Sequence, residues 1–115
     1  MQYALLYSFL LFFLGQSLIW IQTNGQFIWP WFKKNPLILS IFGGTLISYL
    51  FIKATAYAVE HFDGLLWPGR FIGFASGMLV FAGFTWYFMG ETITPKTAIS
   101  LVLATILICI QLFWK

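Results

Sequence analysis

Hydrophobic residues gather into four long runs, at about 3–21, 37–59, 65–89 and 95–113, and most polar residues fall in the short stretches between them. Each run approaches or exceeds the ~20 apolar residues that cross the ~30 Å hydrocarbon core of a bilayer as a helix. The pattern predicts an all-α membrane protein with four transmembrane helices and short loops, in a single four-helix domain over residues 1–115. No Lys or Arg precedes the first run, and no small-residue cleavage site interrupts it, so the first span is expected to be retained rather than removed as a signal peptide.

The boundaries carry their own signals. Asn24-Gly25 reads as a turn, followed by Trp29, Trp31 and Phe32 and then Lys33 and Lys34. Indole rings settle at the headgroup level and lysines in the water beyond, so this connection is expected along the membrane surface, with Pro30 weakening any short amphipathic helix there. Pro36 opens the second span. Only about residues 60–64 separate the second and third spans, which makes those helices antiparallel neighbours. Asp63 is a candidate cap for the third span, with Pro68 in its first turns. Thr94-Pro95 reads as an N-cap followed by proline at the first helical position of the fourth span, and Trp114-Lys115 as its far anchor.

Polar and small residues inside the runs mark candidate chemistry. The stretch from His61 to Glu91 organises the rest: it spaces Gly69, Gly73 and Gly77 four apart and carries Arg70 just inside the membrane. Glycines at that spacing leave a flat helix face for close packing, within the molecule or across a dimer. A charge in hydrocarbon costs at least ~2.5 to 3.5 kcal/mol, so Arg70 must reach water, pair with an acid or face a ligand. Gln16 lies well inside the first span, where an amide either bonds to a neighbouring helix or faces a substrate. Tyr49, Lys53, Tyr57 and His61 follow at steps of four and form one stripe; Lys53 either snorkels to the headgroups or faces Arg70. Ion pairs from Glu60 or Asp63 to Lys53 and Arg70 are the plain structural alternative. With Trp67, the candidate substrate-binding set is Arg70, Lys53, Gln16, Tyr49 and Trp67.

Composition narrows the function classes. Charged residues make up only 8% of the chain, against about 25% in a soluble domain, and hydrophobic ones 61%. The six basic residues behind the net charge of +3 are too dispersed for a nucleic-acid patch and suit anionic headgroups. A single cysteine, Cys109, excludes an intrachain disulfide and a cysteine-based metal site. No HExxH, paired intramembrane acids or Ser/His arrangement points to an enzyme, a metal or a cofactor. Loops and termini place Lys33, Lys34 and Lys96 opposite Lys115, three against one, which favours the first and third loops inside; adding Lys53 and Arg70 gives three against three, so insertion in both directions stays open.

The four-span layout and the sequence Trp86-Tyr87-Phe88-Met89-Gly90-Glu91-Thr92-Ile93 before an apolar last span resemble the drug/metabolite transporter superfamily, closest in size to its small multidrug resistance branch. The likeness covers about 45 residues of the second half, and the first half by hydropathy. It implies a transporter acting as a homodimer in a cytoplasmic (inner) membrane. The family's proton-exchanging glutamate has no counterpart in this first span, where the nearest polar residue is Gln16, so proton-coupled drug export is not implied. One register, set by Gly90-Glu91, puts Arg70 at the family's substrate-facing tyrosine; another, set by Ala56-Tyr57 and Trp67, puts Gly64 there. Gly15-Gln16 also resembles the lipid-linked aminosugar flippase subunits of the superfamily. Two functions are therefore expected to compete: a small transporter or flippase subunit for an anionic or amphipathic metabolite or lipid, and a non-catalytic accessory subunit of a larger membrane complex.

Overall fold

In the computed structural model, which describes residues 3–114, the chain forms five helices: α1 (Ala4–Asn24), α2 (Pro30–Lys34), α3 (Pro36–His61), α4 (Trp67–Met89) and α5 (Pro95–Phe113). The four long ones are each long and apolar enough to cross a membrane, the build of an integral multi-pass membrane protein. Among the described residues there are no strands. Lys115, expected as an anchor, lies outside them.

The ends of the helices follow local chemistry. α1 runs three residues beyond its expected end because Gln22 Nε2 donates to Leu39 O on α3 (2.8 Å), holding the last turn before a 3-10 turn at Gly25–Phe27. Pro30 does not prevent a helix after that turn; it occupies the first position of α2, where its missing N–H is not needed. Asp63 does not cap α4. It sits at φ 56° beside Gly64 at φ 90°, so this left-handed turn delays α4 to Trp67, with Leu66 at the N-cap and Pro68 in the first turn. Gly90, at φ 69°, ends α4 in the left-handed conformation that a side chain would strain. Thr94 caps α5 as expected, its Oγ1 accepting from the Thr97 amide at 3.3 Å.

α1 is the centre of the packing, with α3 on one side and α4 on the other. Buried Ala4, Ser8, Phe12 and Trp20 recur at multiples of four, and each step of four advances about 40° around the helix. The buried stripe therefore turns from α3 toward α4 as it rises. Ser8 Oγ donates to Ala54 O of α3 (2.9 Å); farther along, Gln16 Nε2 donates to Gly73 O of α4 (3.0 Å) and Trp20 Nε1 to Thr85 Oγ1 of α4 (3.0 Å). Trp20 also packs on Phe84 and Phe88, and Trp29, beside α2, closes over Phe88 at 6.3 Å. In lipid such interhelical bonds and close packing hold helices together, since apolar surface alone gains nothing from leaving lipid tails.

The short loop makes α3 and α4 antiparallel, but they are not packed along their length. They meet near the loop, where Gly69 of α4 approaches Ala58 of α3, and then diverge around α1. α5 leans mainly on α4 and buries only Ala104 among its residues. The result is a slab with extents of 47 × 36 × 18 Å, less than two helix diameters thick at its thinnest.

Candidate functional site

The divergence of α3 and α4 leaves a groove of about 540 Å³, within the size range of small-molecule sites. α1 forms its floor with Phe12 and Gln16. α3 gives one wall, Phe51 and Thr55. α4 gives the other, with Gly69, Arg70, Gly73 and Phe74, and Leu66 stands at its start.

Each wall follows from its residue types. Gly73 and Gly77 lie against α1: a Cβ on Gly73 would stand 3.0 Å from the Phe12 ring, and one on Gly77 2.8 Å from the Gln16 amide. Their bare backbone lets α1 come close enough for Gln16 to reach the Gly73 carbonyl. Phe12 is 4% exposed and packs at 5.9 Å on Phe51, which ties the floor to the α3 wall. The Gln16 amide spends its nitrogen on Gly73 O, and among the described residues nothing donates to its oxygen, which sits in a side chain lining the groove.

Arg70 is the one ionisable residue lining the groove. It follows Gly69 by one position, so the helix that turns its glycine onto Ala58 turns the arginine about 100° away, to the open side. It is exposed, and no described carboxylate lies within ion-pair distance of it. A guanidinium offers five donors in a planar fork that fits phosphate or carboxylate. The groove thus combines a cation, an amide and the Thr55 hydroxyl with apolar walls, the equipment for an anion carrying an apolar portion.

The other expected site residues are elsewhere. Lys53 does not line the groove with Arg70; its Nζ lies 5.8 Å over the Tyr57 ring, and Tyr57 in turn packs on Tyr7 at 5.4 Å. The cation thereby gains an aromatic face on the outer side of the α1–α3 pair. Tyr49 lines a shallow hollow on α3 with Ser40, Thr45 and Ser48. Trp67 is exposed and stacks on Phe71, with ring centroids 6.0 Å apart. Sequence spacing placed these three at plausible depths, but only the rotation of each helix about its axis decides which side chains share a space. Conversely, Phe12, Phe51, Thr55 and Phe74 carry no signal distinguishing them from other residues of an apolar span.

Among the described residues no three His, Cys, Asp or Glu side chains come together to hold a metal ion. The chain matches no known family model, curated protein or solved structure.

Proposed function

We propose that this chain is a small transporter or flippase subunit that works as a dimer, in a cytoplasmic (inner) membrane, on an anionic and amphipathic metabolite or lipid. The observation that carries the reading is Arg70 lining a groove whose other polar groups are Gln16 and Thr55. An intramembrane arginine on a cavity is the usual mark of a substrate path. The groove opens between two spans, so an anionic head can sit on Arg70 while its apolar tail stays in the bilayer. The thinness of the slab supports the dimer, because a second copy would complete a wall that one copy lacks. The resemblance of the 86–93 stretch to small multidrug resistance proteins supports the same reading.

The second reading, an accessory subunit, draws on α5, which buries only Ala104 and leaves a long apolar face for another protein. One experiment separates the two. Protein reconstituted into vesicles with a trace of fluorescent short-chain phosphatidylglycerol is assayed for movement of the label between leaflets. Arg70→Lys keeps the charge but loses the planar fork, so it should insert and fold normally and lose movement. Full activity in Arg70→Lys would take Arg70 out of the site. No movement by the unaltered chain, together with a stoichiometric unrelated partner in mild detergent, would favour the accessory role.

A further inference from the structure

A second cavity lies between the end of α4 and the start of α5, away from the Arg70 groove. It holds about 330 Å³, and its lining includes one carboxylate, Glu91, and one ammonium, Lys96. Both are exposed, and they do not pair with each other within 4.0 Å. The Thr92 hydroxyl lies between them in sequence and lines the same space. The deeper wall is apolar, with Met78 and Phe81.

The depth of this cavity is set by its neighbours. Gly90 ends α4 and Thr94 caps α5, so the charged part lies at the turn between two membrane spans. Exposed Trp86 and Tyr87 stand on the last turn of α4, and such aromatic residues settle at the headgroup level. One end of the cavity is thus at the interface and the other faces hydrocarbon.

From this juxtaposition of unpaired opposite charges at the interface with an apolar wall running inward, we propose that the α4–α5 cavity binds the headgroup of a zwitterionic phospholipid of the phosphoethanolamine class. Its primary ammonium donates to the Glu91 carboxylate, and its phosphodiester accepts from Lys96 and Thr92. The apolar wall takes the start of an acyl chain. A phosphocholine lipid presents a quaternary ammonium with no N–H to give Glu91, and a phosphoglycerol lipid has no ammonium at all, so the cavity discriminates among the three. The α4 wall is held in place from behind: Thr85, which also lines the cavity, is the acceptor for Trp20 of α1.

The test is native mass spectrometry of the full chain in detergent, titrated separately with phosphatidylethanolamine, phosphatidylcholine and phosphatidylglycerol of identical acyl chains. The ethanolamine lipid should bind about tenfold more tightly than the choline lipid, the size expected for one charge-assisted hydrogen bond, while the glycerol lipid reports the Arg70 groove as well. Glu91→Gln should erase the preference over phosphatidylcholine, and Lys96→Gln should weaken the ethanolamine and choline lipids alike, keeping the preference between them. The preference for the ethanolamine over the choline lipid does not involve Arg70, since both carry the same phosphodiester, which separates this site from the groove. Equal binding of the ethanolamine and choline lipids by the unaltered chain, a result independent of whether any variant folds, would overturn the proposal. Retention of the preference over phosphatidylcholine in Glu91→Gln would do the same. Displacement of the lipid by an equimolar amount of free O-phosphoethanolamine would overturn the lipid assignment in favour of a soluble zwitterion.

Discussion

Replacing Gly77 with alanine tests the contact between α1 and α4 at one atom. A Cβ at that position would stand 2.8 Å from Cδ and Oε1 of Gln16 and 2.9 Å from its Nε2, separations that cannot persist. The amide is the far end of a flexible side chain and can swing aside, so the steric part alone is cheap. What resists is the bond from Nε2 to Gly73 O, which the swing breaks. Interhelical hydrogen bonds in membranes contribute about 0.6 to 1.7 kcal/mol, and an off-rotamer glutamine adds roughly 0.5 to 1.5 kcal/mol. Against this, alanine gains about 1 kcal/mol over glycine in helix propensity. The single variant is therefore ambiguous, but the double-mutant cycle with Gln16→Ala cancels the propensity gain. It should return a coupling of about 1 to 3 kcal/mol, with Gly77→Ala neutral or stabilising once Gln16 is gone. Gly83→Ala, where a Cβ would meet nothing within 4 Å, supplies the propensity reference and should be neutral or stabilising by up to about 1 kcal/mol. Equilibrium unfolding in mixed micelles by SDS titration, followed by far-ultraviolet circular dichroism, measures all four corners. A coupling below about 0.5 kcal/mol, the ordinary scatter of independent sites, would refute the reasoning.

Two further outcomes follow from the packing. Trp20→Phe and Thr85→Val each strand one partner of a buried hydrogen bond, so each should cost about 1 to 3 kcal/mol, while the double variant costs less than their sum; additive losses by the same SDS titration would show that the bond does not couple α1 to α4. Thr94→Ala removes the acceptor for the Thr97 amide and should cost about 0.5 to 2 kcal/mol, recovered by Thr94→Ser, and an unchanged thermal midpoint in Thr94→Ala would count against the cap.

The spans were legible in the sequence because lipid demands long apolar helices and almost nothing else has that form. Thr94-Pro95 marked the start of α5 to the residue, since capping is local chemistry. The neighbours of each helix were not legible. In lipid a span is apolar all round, so Phe12 and Phe51, which form the floor and wall of the groove, look like any other phenylalanine facing acyl chains. The short loop between α3 and α4 suggested side-by-side packing, whereas α1 takes the place between them, because Ser8, Gln16 and Trp20 find their acceptors on two different helices. Gln16 and Arg70 stood out as polar exceptions and do line the groove together. Tyr49, Lys53 and Trp67 stood out equally and do not, because depth in the membrane is readable from sequence position and azimuth is not.

The central place of α1 bears on how the chain is made. Of its partners on α3, Leu39 lies 17 residues from Gln22 and Ala54 46 from Ser8, whereas Gly73 and Thr85 on α4 lie 57 and 65 residues beyond Gln16 and Trp20. At roughly 5 to 20 residues synthesised per second, α1 spends about 3 to 13 s in or beside the insertion machinery before α4 has emerged. During that interval its amide and indole N–H have no native acceptor. The α1–α3 pair is complete once Ala54 has been made, and the face of α1 that receives α4 waits longer for its partners, so the order of synthesis sets the order in which the helices dock.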